Sequence, residues 1–560
     1  MKKLLILTAS MLALSAGGAH AQMVQTSEIT QAGVSNDATV NQAGGDEGVS
    51  DIDQTGDDNE ASVTQEDGPA ASSMFNVPAN ISDIDQVGNN QSATVVQNGE
   101  PANGDSNVST ITQTATGPNL TAGGFAAEAV VAQGGEGNVG TILQSASGNY
   151  AYADQFGSDN TSMIDQFGNN NIATLNEQGN SGGGLGESDN DSTILQGGDN
   201  NLAEVDQDGS GNTSIIDQDG SDNEARIMDQ NGDNNFSTIL QSGSNNDALV
   251  DDQNGDGNNS SINQEGTDGD ADVSQDGDNN VSTIDQTNDG AIAVVNQGGN
   301  NNLSDINQGN GAGNFPDTEA YVTQDGDDSF SYVDQVSRES VATVNQTVGS
   351  SSNTSDIDQL LGSLRATATV TQNGSNGLST ILQERDGGPP NMEGMTATVT
   401  QSGDGAESSI TQRDAGASAT VTQDGDSLST ILQIGADGII ANGNTAMVDQ
   451  IGDLTSSMIS QNGESNSATV DQQGDMLMSS IDQLGSGHAA TVTQTGFSNS
   501  STILQSDMNN TANVTQAMNG NTSMVTQSGD GHLATVNQTT ASNASTVTQS
   551  GSGNTATVTQ

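Results

Sequence analysis

Cysteine and tryptophan are absent from the 560 residues, proline occurs seven times, and aromatic side chains make up 2% of the chain. No disulfide can therefore staple the fold. Basic residues are scarce too: after Lys2 and Lys3 only Arg226, Arg338, Arg365, Arg385 and Arg413 stand against 73 acidic residues, for a formal net charge of −66. Such a surface repels nucleic acid and anionic lipid at range, so neither is an expected partner. Beyond the N-terminus no run approaches the roughly 18 apolar residues of a membrane helix, and no membrane insertion is expected. With 30% apolar residues and 70 glycines, composition by itself suggests disorder. Periodicity overturns that suggestion.

Residues 1–21 read as a secretory signal peptide. Lys2 and Lys3 form its positive start, residues 4–14 its short apolar stretch, and Ala19-His20-Ala21 its small-residue cleavage site. The mature chain then begins at Gln22 and is expected to be secreted, to the extracellular space or the cell surface.

What is abundant is glutamine at fixed intervals. It closes a pattern read from Ser50, Ile52, Gln54, Asn59, Ala61, Val63 and Gln65: S-x-I-x-Q-x-G-x-x-N-x-A-x-V-x-Q. This glutamine recurs at 44 positions, and 29 of the 43 intervals are 11 residues. The residue four before it alternates between Ser and Ala, with Gly140 as the break, so the period is 22 residues and there are 22 units. Within each half the first, third and fifth residues are the constant ones, as in Ser501-Thr502-Ile503-Leu504-Gln505. Strand geometry puts those on one face and the variable residues on the other. Between strands lies a short arc such as Gln207-Asp208-Gly209-Ser210-Gly211-Asn212, whose Gly and Asn suit left-handed backbone.

The expected fold is all-β: a β-solenoid of about 22 stacked strand–arc–strand–arc coils in a cross-β arrangement. Stacking at about 4.8 Å sets each Ser, Ile, Gln and Asn on its equivalent in the next coil, a length on the order of 100 Å in all. A buried amide is costly unless bonded, and a column of identical amides satisfies donor and acceptor together. The expected ladder residues are Ser50, Ile52, Gln54, Asn59, Ala61, Val63, Gln65, Gln207, Asn212, Ser214, Gln218, Ser501, Gln505, Gln516, Gln527, Gln538, Gln549 and Gln560. Residues 22–560 are expected to form one solenoid, with loops inserted near 66–81, 98–108, 114–128, 179–191, 309–319, 384–396 and 434–445. Pro69, Pro78, Pro101, Pro118, Pro316, Pro389 and Pro390 all fall in those insertions, as an uninterrupted ladder requires.

The spacing Gln-x4-Asn-x5-Gln, held by Gln54, Asn59 and Gln65 and again by Gln207, Asn212 and Gln218, resembles the curlin repeat of curli fibre subunits, the bacterial functional amyloids. The serine spacing departs from that repeat, being S-x3-Q here. Far more units, greater acidity, and a first strand that begins at Ser27 with little room for a Gly-rich leader also set the chain apart. The resemblance implies a secreted subunit that polymerises through its strand edges for adhesion and biofilm matrix. Its partners would be itself, a nucleator subunit and an outer-membrane secretion channel. A last strand that ends on Gln560 without a cap fits the same expectation. The competing reading is a cell-surface adhesin that uses its inserted loops, with Met74 and Phe75 in one of them.

Acidic turns such as Asp256 and the Asp276–Asp278 stretch are read as solvated charge that delays aggregation or as Ca²⁺ ligands. Outward Thr pairs (Thr369/Thr371, Thr398/Thr400, Thr420/Thr422, Thr491/Thr493) are read as strand propensity or as an ice-binding face. His488 and His532, 44 residues apart, are placed on one arc edge two coils apart, near 10 Å, too far to share a metal. No nucleophile–base pair or phosphate loop is discernible, so neither enzymatic activity nor a cofactor is expected.

Overall fold

The structure is a computed structural model that describes residues 25–44, 48–67, 80–99, 106–115, 121, 124–178, 189–309, 317–360, 363–384, 394–413, 415–435 and 443–560. The expected signal peptide, Met74, Phe75, Arg385, all seven prolines and part of every expected insertion lie outside the described residues.

The described residues fall into two compact units, one up to Asn279 and one from Asn280. Their regular structure is β-strand: β1 (Thr26–Ala32) to β20 (Asp270–Asp276) in the first unit, and β21 (Val281–Gln286) to β44 (Thr555–Thr559) in the second. Within each unit every strand pairs in parallel with the strand two places further along. Thus Ser192, Ile194 and Gln196 of β13 (Asp191–Gln196) face Ser214, Ile216 and Gln218 of β15 (Thr213–Gln218). Odd-numbered strands carry the Ser half and even-numbered strands the Ala half, so one strand of each makes a coil. The first unit is a β-solenoid of ten coils and the second one of twelve, counted as strand pairs.

Burial alternates residue by residue along the strands. Ile194, Ile216, Val205 and Ala203 have no exposed surface, and neither have Gln196, Gln207 and Gln218. Burying each Ile contributes about 1.5–3 kcal/mol, which leaves the amides as the interior groups that need a partner.

The arcs stack as tightly as the strands. Asn200, Asp222 and Asn245 hold left-handed backbone at equivalent arc positions of successive coils, a conformation that Asn and Asp tolerate better than other side chains. The alternation four residues before each glutamine needs correcting at three Ala-half strands: β12 (Ile172–Gln178), β16 (Glu224–Asn231) and β18 (Asp247–Asn254). There Ala173, Ala225 and Ala248 stand five residues before Gln178, Gln230 and Gln253. A β-bulge absorbs the extra residue, and the glutamines still meet their partners in register.

Candidate functional site

Four amide columns run through the two units, two in each. In the Ser half of the first unit Gln31, Gln54, Gln86, Gln113, Gln144, Gln166, Gln196, Gln218, Gln241 and Gln264 each hand an Nε2 proton to the Oε1 of the next, over 2.7–2.9 Å. In the Ala half Gln65 donates to Gln97, Gln178 to Gln207, Gln207 to Gln230 and Gln230 to Gln253, over 2.7–3.1 Å. The last coils of the second unit repeat this. Gln505 donates to Gln527 and Gln527 to Gln549 in one column, and Gln516 to Gln538 and Gln538 to Gln560 in the other. Every bond named points the same way along the chain, so the amide dipoles align and polarise one another.

The second Nε2 proton ties the two halves of a coil together. Gln54 donates it to the carbonyl of Asp37, Gln218 to that of Leu202 and Gln505 to that of Ala489. Serines add cross-links. Ser50 Oγ donates to Gln65 Oε1 at 3.2 Å, and Ser214 Oγ accepts from Gln207 at 2.9 Å and donates to Gln230 at 2.8 Å. Ser501 Oγ instead meets Ser523 Oγ at 3.2 Å. Ile52, Ala61 and Val63 are buried beside these groups.

Asparagine braces the arcs by a two-sided exchange. Asn59 Nδ2 donates to the Gly88 carbonyl and its Oδ1 accepts the Gln91 N–H; Asn212 does the same with Gly232 and Asn235. Arc aspartates are further rungs. Asp256 Oδ1 accepts the N–H of Asp233 at 2.9 Å, and Asp278 Oδ1 accepts that of Asp256 at 3.0 Å. Their carboxylates therefore carry a structural bond that neither reading of the acidic turns included.

The histidines were missed by sequence reasoning in the same way. His488 and His532 occupy the Asn column, in the order Asn466, His488, Asn510, His532 and Asn554. His488 Nδ1 accepts the N–H of Asn510 at 3.3 Å, and His532 Nδ1 that of Asn554 at 3.2 Å. Each Nε2–H reaches the carbonyl four residues back, Leu484 O and Ser528 O, as Asn510 Nδ2 reaches Ser506 O. Nδ1 thus replaces Oδ1 and Nε2–H replaces Nδ2–H. The available signal was that each histidine sits at the Asn position of its repeat.

The outward faces differ along the chain. Thr369/Thr371, Thr398/Thr400 and Thr420/Thr422 line up on three successive Ala-half strands, whereas Thr491/Thr493 is separated from them by Met447/Asp449 and Thr469/Asp471. Arg226 pairs with Glu204 and Glu224, Arg365 with Glu339 and Arg413 with Glu384, exposed contacts worth at most about 1 kcal/mol each. Elsewhere acid stacks on acid. Asp51 faces Asp83 and Asp53 faces Asp85 in the first unit, and Asp334 faces Asp358 in the second. Desolvation, then the neighbouring Asp356 and Asp334, pushes the Asp358 carboxyl up to about 6; burial first and then Asp305 and Asp356 raise Asp334.

These groups give acid two opposite local effects. The folded chain holds the Asp358 proton more tightly than the unfolded chain, so stability there is gained as pH falls from above 6 toward 4. Burial instead holds His488 below its usual range. The unfolded chain then takes the proton more readily, and that contribution, full above about pH 6.5, is lost on acidification. Protonated Nδ1 also ceases to accept from Asn510. Hydrogen exchange, corrected for intrinsic rates, should slow on acidification in Phe330–Gln335 and Thr354–Gln359 and quicken around His488 and Asn510. Asp358→Asn should abolish the first change and His488→Asn the second. Uniform behaviour at both places would contradict the assignment.

Compared with known families, the chain matches the Curlin associated repeat at residues 135–168, 188–220, 198–228 and 220–251 in the first unit. It matches again at 441–474, 456–485, 486–517, 508–539 and 533–560 in the second. No curated protein matches it.

Proposed function

We propose that this chain, a member of the curlin-repeat family, is a secreted structural subunit of curli-like amyloid fibres, a builder of extracellular matrix rather than a catalyst. One observation carries the reading: each coil presents to the next the same backbone groups and the same one-way amide donors and acceptors. Gln207, Gln230 and Gln253 exchange equivalent bonds although they belong to different repeats. A coil of another copy can satisfy such a surface as well as a coil of the same copy. Polymerisation then needs no new chemistry, only the register that Gln, Asn, Ser and Ile already impose. A nucleating subunit and an outer-membrane channel are partners that fit this role, and surface adhesion is its use.

The test is to purify the chain from Gln22 onward and follow assembly with thioflavin and fibre diffraction. Fibres with a meridional reflection at about 4.7–4.8 Å are the expected result. A chain that stays monomeric under all assembly conditions would sink the reading and promote a surface adhesin.

A further inference from the structure

The Ser-half sheet of the second unit changes character along its outward face. Its early strands carry Asp285, Asp305, Asp334, Asp356 and Asp358 outward. Five later strands are different: β33 (Ser427–Ile434), β35 (Thr455–Glu464), β37 (Met478–Ser486), β39 (Ser500–Met508) and β41 (Thr522–Asp530). Between the residue preceding the ladder serine and the ladder glutamine, their outward positions hold a single charge, Asp482. They expose Leu428, Met458, Met478, Leu504 and Met524 instead, with Met458 and Met478 more than half exposed. Register sets Leu428, Ser456 and Met478 in one column and Thr430, Met458 and Ser480 in the next. The apolar side chains are therefore staggered, with small hydroxyl residues between them.

We infer that this face is a lateral self-association surface that receives the same face of a second copy. Five exposed apolar side chains, one on each of five successive strands of a single face, point to an interaction site, and charge selects the occupant. Two copies of a chain with net charge −66 meet acid on acid over most approaches, a repulsion that is weakest where both present this stretch, whose strand positions up to the ladder glutamine carry Asp482 as their single charge. A cationic partner would be drawn to the aspartate stretch of the same sheet and not to this one. Both copies carry the patch, so a two-fold pairing is self-complementary. Sheets packed face to face lie about 10 Å apart, and the staggered Met and Leu side chains can interdigitate across that gap. Methionine suits such a contact because its unbranched side chain adapts to the surface it meets. The pairing register is also set. Sliding one copy by several coils would press Asp356 and Asp358 against Met and Leu and strip water from carboxylates.

The inference goes beyond fibre growth and does not require it, because lateral pairing joins faces and coil stacking joins ends. Sedimentation velocity of the chain from Gln22 onward, over a concentration series at low and high NaCl, provides the test. The wild type should form a dimer that strengthens with salt. Met458→Glu with Met478→Glu should weaken pairing by at least about tenfold, the loss expected from removing two buried Met side chains per copy. Met458→Ser with Met478→Ser, which copies the neighbouring serines and adds no charge, should weaken it in the same direction. Met163→Glu, on a Ser-half strand of the first unit, should leave pairing unchanged. If fibres form, mass per length should fall from two solenoids to one in the Met458 and Met478 variants only. A wild type that stays monomeric throughout, or paired variants, would overturn the inference. So would a monomeric wild type whose binding to neutral phosphatidylcholine vesicles is lost in the same variants, which would assign the face to lipid.

Discussion

Gln230→Glu is expected to open the coils on either side of it at neutral pH while leaving distant coils closed. Gln230 has no exposed surface and all of its hydrogen-bonding capacity is in use. Oε1 accepts from Gln207 Nε2 and Ser214 Oγ, both at 2.8 Å; Nε2 donates to Ser237 Oγ at 2.9 Å and to Gln253 Oε1 at 2.7 Å. A carboxylate keeps the two acceptor roles and loses both donors, and it sets a negative oxygen against the oxygen of Gln253. Leaving a buried charge without compensation costs roughly 3–5 kcal/mol. Gln230→Ala removes the charge problem but leaves a gap and strands its neighbours, at about 1–3 kcal/mol for each unsatisfied group. Because coils interact chiefly with nearest neighbours, hydrogen exchange is the suitable measurement, and protection should fall in β14 (Leu202–Asp208), β16 and β18. The Glu variant should recover below the pKa of its own carboxyl, whereas the Ala variant should not. Gln473→Glu, at an exposed position outside the ladder where the amide donates to Asp471 Oδ1 at 3.2 Å, is the control, and the solvent-screened repulsion it adds should cost at most about 1 kcal/mol. Equal protection in Gln230→Glu and wild type would mean that the column does not hold the coils together.

The ladder was legible because translation is its physical principle. An amide column works only if the same residue returns at the same place in each coil, so the sequence must spell out the stacking. Period-2 burial around Ile216 and Gln218 follows from the same five-residue pattern. Features that break the count were harder to see. The bulges before Gln178, Gln230 and Gln253 hide an extra residue that the register later absorbs. Substitutes within a column were hidden for another reason. His488 looks like a lone imidazole on an arc edge until Asn466 and Asn510 are seen on either side of it, each linked to it through a backbone N–H. Asp256 looks like solvated charge until Asp233 is found donating to it. The pairing of those groups is long-range in sequence, and single-residue chemistry does not reveal it. The outward face is legible only as composition, since which columns Met458 and Met478 share depends on the register.

A second large effect is expected where no side chain exists at all. Gly198, Gly220 and Gly243 stack in successive arcs of the first unit. A Cβ added at Gly198 would lie 1.4 Å from the Gly220 carbonyl oxygen, and one at Gly220 would lie 1.8 Å from that of Gly243. The obstruction is backbone and cannot rotate aside. None of the three has left-handed backbone, so the cost of substitution is contact and not conformational preference. Gly220→Ala must push the two arcs apart, and the bond from Asn223 Nδ2 to the Gly243 carbonyl, now 3.1 Å, spans the same gap. Overpacking of this kind costs about 1–3 kcal/mol and the lost bond about 1 more. Gly531→Ala separates the two causes. Its φ is +68° and nothing lies within 4 Å of an added Cβ, so only the left-handed strain of about 1–2 kcal/mol remains. Exchange protection should therefore fall further around Gly220 than around Gly531, and the loss should extend to Glu224–Asn231, which follows the displaced arc. A Gly220→Ala chain no more open than Gly531→Ala would show that the arcs have room to spare, and that the glycine column serves the turn rather than the stack.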